Sequence, residues 1–420
     1  MFSAIADQFD LPTNRLYRLR DELARKQIRM TDLVSGNVNS QGILFPMELF
    51  QKALAAGVRA GRVYCPDPLG QPTAREAISR IYAKEGFKVP SEQLLLTPGT
   101  SISHWYAFKL LANPGEEILC PTPSYPLFDS IAALSGVALT HYPLREGTRW
   151  EIDFESLEAA ITPRTKAIIL ISPHNPTGAV ATAEEVQRLG EIASRRHLAI
   201  ISDEVFSSFV FRTSPRQGVS RGPASLSNDT GSRLTTCRDD GYYRPATSSA
   251  PLVITMNGLS KMLALPGMKI GWMTVTGEPS LVKKSLKTLE MISDTFLPVN
   301  EAAQFALPHI LKSGAVFQKS YKATIQDRMA TAVKTLEGQS GISLVKPEGG
   351  FFLTLRLNGS CADEEEDAWR LLQKHRILVH PGYFYDMEGQ HLVLSFVSRP
   401  ELLRRAVSKI LEMAGSLNNG

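Results

Sequence analysis

The sequence predicts an α/β fold: a mostly parallel central sheet covered by helices, with a smaller α+β domain beside it. Three observations carry that expectation. From about Ile43 to Met291, short apolar runs alternate with stretches of helical spacing, as when strands are buried on both faces under helices. Within that region, Lys166–Ser172, Ala183–Arg196 and His197–Ser202 read as strand, helix and strand. Parallel strands joined by a helix bring their carboxyl ends to one edge of the sheet. From about Leu297 the order changes, with helices first and strands after. The expected division is an N-terminal arm at 1–42, a large domain at 43–296 and a small domain at 297–420.

Along the chain, Gln93–Thr97 reads as a strand, Pro98-Gly99-Thr100-Ser101 as a turn and Ile102–Leu111 as a helix. Such a turn presents free backbone N–H groups and the positive end of a helix to an anion. Glu116–Cys120 is a further strand, running into Pro121-Thr122-Pro123-Ser124-Tyr125-Pro126. Lys166–Ser172 leads into the turn Pro173-His174-Asn175-Pro176-Thr177-Gly178. Val186, Leu189 and Ile192 set the helical spacing before the strand that ends at Asp203. Leu252–Met256 precedes a short polar turn carrying Lys261, and a strand begins at Ile270-Gly271-Trp272. The C-terminal strands are expected at Ile342–Val345, Phe351–Leu357 and His391–Val397, with a last helix over Pro400–Ala414.

The stretch 212–250 breaks this pattern, being rich in Ser, Arg, Gly and Pro. It reads as either an active-site lid or a disordered insertion. Tyr242, Tyr243 and Arg244 are its part most suited to substrate contact.

Composition removes several classes of function. The net charge of +4 comes from mixed signs without a long basic run, so no nucleic-acid partner is expected. The four cysteines are far apart and show no metal-ligand spacing. That argues against a disulfide scaffold or a metal site and fits a reducing, cytoplasmic setting. The N-terminus lacks a basic start before an apolar core, and no run of about 18 apolar residues suggests a membrane span.

Lysine is nucleophilic only when deprotonated, and its ordinary pKa of about 10.4 opposes that at neutral pH. Holding the amine as an imine to an aldehyde cofactor removes the difficulty. The tract Gly258-Leu259-Ser260-Lys261, with Ala264-Leu265-Pro266-Gly267-Met268-Lys269-Ile270-Gly271 after it, resembles the cofactor-lysine signature of the class I/II aminotransferases. These are pyridoxal-phosphate (PLP) enzymes of fold type I, and the resemblance extends from about Asp32 to Leu411. It implies that Lys261 forms the Schiff base, Asp203 pairs with the ring nitrogen and Asn175 donates to the ring hydroxyl. It further implies that Gly99, Thr100, Ser101, Ser260 and Lys269 hold the phosphate end and that Tyr125 stacks on the ring. Tyr64 resembles the tyrosine that reaches the phosphate of the partner subunit, which implies a homodimer. Gly36 and Arg356 are candidate substrate contacts, with a plain surface position the alternative for Arg356.

The sequence departs from the family at three places. Phe206 stands where tyrosine is usual and lacks its hydroxyl. Lys269 replaces an arginine and cannot make the bidentate contact. Val393, in His391-Leu392-Val393-Leu394-Ser395-Phe396, occupies the place of the arginine that forks onto the substrate α-carboxylate. The expected activity is PLP-dependent transfer of an amino group from a small-molecule amine or amino-acid donor to a carbonyl acceptor. A PLP-dependent lyase or decarboxylase on the same fold, and a non-enzymatic PLP-dependent regulator, are the alternatives. Val393 suggests a substrate whose carboxylate is absent, masked or bound elsewhere.

Overall fold

The computed structural model describes residues 1–9, 12–211, 241–296, 299–358 and 363–417. The expectation of a lid or disordered insertion falls largely on residues 212–240, and Cys237 and Cys361 also lie outside the described residues.

Eight strands form one sheet. Their order across it is Leu94–Thr97, Gly271–Gly277, Leu252–Gly258, Ala199–Asp203, Thr165–Ile171, Glu117–Thr122, Ala138–Glu146 and Trp150–Ile152. Gly271–Gly277 and Trp150–Ile152 run against the other six, so the sheet is mostly parallel. Every residue of Ala199–Asp203 and of Leu252–Gly258 is buried, as expected of central strands covered on both faces. Register does the functional work: Ile171 lies beside Asp203, and Asp203 beside Met256. The turns after three consecutive central strands therefore open at one edge.

The helix Ala183–Arg196 shows why local sequence is enough to set such a unit. Thr182 and Glu185 form a reciprocal capping box, each side chain accepting the other's backbone N–H. Glu184 and Glu185 lie in the first turn and Arg195 and Arg196 in the last, both favourable to the helix dipole. Val186, Leu189, Ile192 and Ala193 are buried on one face, and each fully buried large aliphatic side chain contributes about 1.5–3 kcal/mol. His197 ends the helix in the left-handed region at φ 53°.

A four-stranded antiparallel sheet forms from Ile342–Leu344, Phe352–Leu357, His391–Ser395 and His380–Pro381, in that spatial order. Thr31–Asp32 pairs in parallel with Ile377–Leu378, tying the N-terminal segment to this part of the fold. The final helix covers Pro400–Leu417.

The chain leaves and re-enters the described structure at two clamped points. On the way out, Val210 bridges Gly349, and Phe211 N–H donates to Glu348 O at 2.8 Å. On the way back, Tyr242 is fully buried and its hydroxyl donates to Ser172 O at 3.0 Å. Arg244 is 0% exposed and pairs with Glu204, also 0% exposed, and with Glu85. Its guanidinium lies 4.9 Å from the Tyr82 ring centroid and 5.3 Å from that of Tyr242. This corrects the reading of Tyr242 and Arg244 as substrate contacts. A polar stretch of sequence ends here in a buried ion pair, and local composition does not report which charges become desolvated.

Among the described residues, no helix is long and apolar enough to cross a membrane. Nor do three or more His, Cys, Asp or Glu side chains among them gather as a metal site.

Candidate active site

A cavity of about 690 Å³ opens at the edge where the central strands end. Thr100, Ser101, Tyr125, Asn175, Asp203, Ser260, Lys261 and Gly36 all line it, joined by Phe206. Residues as far apart in sequence as Tyr17 and His380, 363 positions, thus converge. Gly99, Tyr64, Lys269 and Arg356 are not among its lining residues.

Lys261 lies in the short helix Leu259–Met262, directly after the strand Leu252–Gly258. Its amine donates to Gly36 O at 3.3 Å and sits 5.7 Å from the ring centroids of both Phe206 and Phe351. Burial among these rings disfavours the charged form and lowers its pKa to about 8. Asn39 holds the opposing segment in place, its side-chain amide donating to Ala264 O and Ile43 O, both at 3.0 Å. A methyl group on Gly36 would fall 3.3 Å from the Lys261 amine and 3.4 Å from the Phe352 ring. Gly36→Ala is therefore expected to displace the amine by a few tenths of an ångström and reduce kcat/KM about tenfold. An unchanged melting temperature beside that loss would assign the effect to positioning.

Asp203 closes its strand with one carboxylate oxygen accepting the Val205 N–H at 3.0 Å. The other faces His104 Nε2 at 3.5 Å. His104, absent from the sequence reading, is buried in the helix Thr100–Leu111, and its Nδ1 lies 2.8 Å from Thr100 O. A carbonyl only accepts, so Nδ1 carries a proton and Nε2 takes another only as imidazolium. Burial lowers the His104 pKa, opposed by Asp203, and raises that of Asp203, opposed by His104 and the Val205 N–H. The carboxylate therefore has no full positive charge beside it. The available signal was helical spacing: His104 is four residues after Thr100 and so shares its helix face.

Asn175 presents an amide oxygen that is buried without a hydrogen-bond partner. The helix Thr100–Leu111 begins after Gly99, at φ 135°, with no side-chain cap on its first N–H groups. Gly271 packs against this turn so closely that a Cβ on it would fall 3.0 Å from Gly99 Cα. Lys269, exposed and at φ 51°, stands two residues before that contact. Tyr125 is 43% exposed and packs edge-on against Phe128. Phe206 packs against Phe351 at 4.9 Å between centroids, consistent with its lacking a polar tip.

Arg356 is not brought to the cavity. Its strand places it opposite His391, and its guanidinium reaches Glu146 at 3.4 Å with its side chain 52% exposed. Val393 is 1% exposed and lies directly across from Thr354 and from His380. Tyr64 is 76% exposed in the single chain.

A weakly basic, desolvated amine and a buried carboxylate thus line one cavity at the strand ends. The model of the "Aminotransferase class I and II" family matches residues 29–410, and the chain belongs to that family. Glutamate–pyruvate aminotransferase AlaA of Escherichia coli is 28% identical over 355 residues, spanning 82% of this chain and 81% of the relative. Arginine–pyruvate transaminase AruH of Pseudomonas aeruginosa is 27% identical over 376 residues, spanning 89% and 87%. An alanine aminotransferase structure from Pyrococcus furiosus matches the fold with a TM-score of 0.86 at 24% identity, covering 99% of this chain and 100% of that one. The chain has the α/β architecture of fold type I and the activity class of an aminotransferase. The relatives support amino transfer and lend nothing to elimination or decarboxylation.

Proposed function

We propose that this aminotransferase binds pyridoxal phosphate in the cavity at the strand ends and uses Lys261 as its catalytic residue. The observation that carries the reading is the Lys261 amine, buried to a pKa of about 8 in the same cavity as a carboxylate without a cationic partner. The donor set suits the group: an amine for the aldehyde, the carboxylate for a protonated ring nitrogen, the N–H groups of the Asn175 side-chain amide for the ring oxygen and an uncapped helix end for the phosphate. When bound, the cofactor supplies a carbonyl carbon that accepts the amino group and a protonated ring that stabilises negative charge on carbon.

The chain's own residues would do the rest. Lys261 takes a proton from the substrate carbon and returns one to the carbon on the far side of the transferred nitrogen, and a pKa near the working pH suits both directions. Asp203, kept out of water and held by the Val205 N–H, keeps a cation beside it protonated. His104 packs beside that carboxylate and shields it from water. Phe206, Phe351 and Phe352 exclude water around the amine. The exposed Tyr64 supports a homodimer in which it reaches the neighbouring site, and the two sheets support a large and a small domain divided near residue 297.

A panel of amino acids and plain amines added to the purified, cofactor-loaded protein tests the reading. Conversion of the cofactor absorbance to that of its amino form, with release of the matching carbonyl compound, is expected. Release of ammonia or carbon dioxide instead would overturn it. A second measurement needs no donor. At pH 7 a lysine of pKa about 8 is about one-tenth deprotonated, against well under a thousandth for an ordinary one. The deprotonated amine is the reactive form. In cofactor-free protein, aldehyde capture at Lys261, trapped by borohydride and mapped by mass spectrometry, should rise about tenfold per pH unit below 8 and flatten above it.

A further inference from the structure

Beside Lys261, the cavity is walled by Tyr17 from the helix Arg15–Arg25 and by His380 and Tyr385, five residues apart on a second segment. They form a relay: Tyr17 hydroxyl lies 2.7 Å from His380 Nε2, and His380 Nδ1 lies 3.0 Å from the Tyr385 hydroxyl. Phe384 stacks on Tyr17 at 6.0 Å between centroids and an interplanar angle of 10°, fixing that ring. His380 pairs across the sheet with Val393. Directly opposed residues of an antiparallel pair point to the same face, so the relay stands on the face where Val393 replaces a guanidinium.

Proton counting shows what the relay offers. Burial holds His380 down at about 4 and raises both phenols, so all three groups are neutral at pH 7. Two O–H protons and one ring N–H proton then serve two hydrogen bonds. With the proton on Nε2, Tyr17 accepts and its own O–H is free; with it on Nδ1, the O–H of Tyr385 is free. Either tautomer leaves one phenol proton for a ligand in the cavity. Among the described lining residues, Lys261 is the only lysine or arginine. This wall therefore supplies a single neutral donor; Arg20, whose guanidinium lies 4.4 Å from the Tyr17 ring centroid, does not itself line the cavity.

We propose that the Tyr17–His380–Tyr385 relay sets the substrate class: an amine whose end facing the relay is an uncharged oxygen acceptor, such as an amide, ester or alcohol, and not a free carboxylate. The inference rests on the aminotransferase reading of the same cavity. A neutral oxygen needs only the one donor to replace its bond to water. A carboxylate would be buried against neutral groups without the paired guanidinium that balances its charge.

Matched donors with one side chain test this on the cofactor-loaded enzyme: L-phenylalaninamide, L-phenylalanine and 2-phenylethylamine, each followed through the amino-transfer half-reaction. The amide is expected to exceed the free acid by roughly 100-fold in kcat/KM, the scale set by leaving a buried charge unpaired. It should also exceed the plain amine, which offers the relay no acceptor. In the double variant Tyr17→Phe/Tyr385→Phe, which preserves ring packing and removes both phenol protons, the advantage of the amide over the plain amine should collapse to within about threefold. Both substitutions are needed, because either phenol alone still leaves a phenol proton free, whereas the double variant leaves only the ring N–H of His380. A free acid turned over as well as its amide would overturn the inference while leaving amino transfer intact. An unchanged amide preference in the double variant would overturn the role of the relay. Failure of all three donors, and of the wider amine panel, would remove the aminotransferase reading itself.

Discussion

Lys261→Ala is expected to lower the amino-transfer rate by at least about 10⁴-fold, with little change in the folded state. Acid–base assistance alone commonly supplies 10²–10⁴-fold, and the same amine is also the covalent anchor in the proposed reading. Stability should hold because Lys261 is buried without a carboxylate partner, and the shift of its pKa to about 8 marks charge burial as unfavourable. Alanine removes that penalty and leaves a small cavity among Phe206, Phe351 and Gly36. Added methylamine should restore part of the rate, since a small free amine can occupy the vacated position. The decisive measurement is single-turnover kinetics beside a thermal melt. Residual turnover within tenfold of the parent would assign the proton transfers to another group.

Arg244→Ala is expected to cost about 3–5 kcal/mol of stability, a large share of the 5–15 kcal/mol that holds a typical domain folded. The substitution leaves the Glu204 carboxylate at 0% exposure without its cation, and removes the contacts with the Tyr82, Phe87 and Tyr242 rings. Ser202 reaches Glu204 at 3.3 Å and offers a hydroxyl, which cannot offset the missing charge. Adding Glu204→Gln should recover part of the loss, because a buried amide carries no net charge. Arg244 does not line the active-site cavity, so variant protein that stays folded at low temperature should keep kcat within a few-fold. Denaturant melts and low-temperature kinetics separate the two effects. Lost activity with unchanged stability would restore Arg244 to the role its sequence context suggested.

That contrast shows where sequence reading works here and where it stops. The central strands were legible because burial on both faces leaves continuous apolar runs, and Ala183–Arg196 because its cap, charges and apolar spacing all agree. The cavity residues on strand-end turns, Asn175, Asp203 and Lys261, were legible because parallel register brings such ends together. His104 was not, because its partner lies 99 residues away on another element and nothing local announces the pairing. The Tyr17–His380 contact spans 363 residues, so only folding brings the two together. Arg356 and Arg244 show the same limit from the other side. Each is a cation in a suggestive neighbourhood of sequence, yet one reaches Glu146 near the surface and the other neutralises Glu204 in the interior.

The two clamps around residues 212–240 bear on how this enzyme can change over generations. The departing end is pinned by Phe211 and Val210 to the Glu348–Gly349 backbone, and the returning end by Tyr242 to Ser172 and Arg244 to Glu204. The described contacts of both anchors are made to the scaffold, which fixes where the two ends stand. Doubling the length of chain between fixed ends adds only about 0.6 kcal/mol of closure entropy. Change in this stretch therefore meets a junction whose ends are held by residues outside it, and Asp203 is the immediate neighbour of one of them, Glu204.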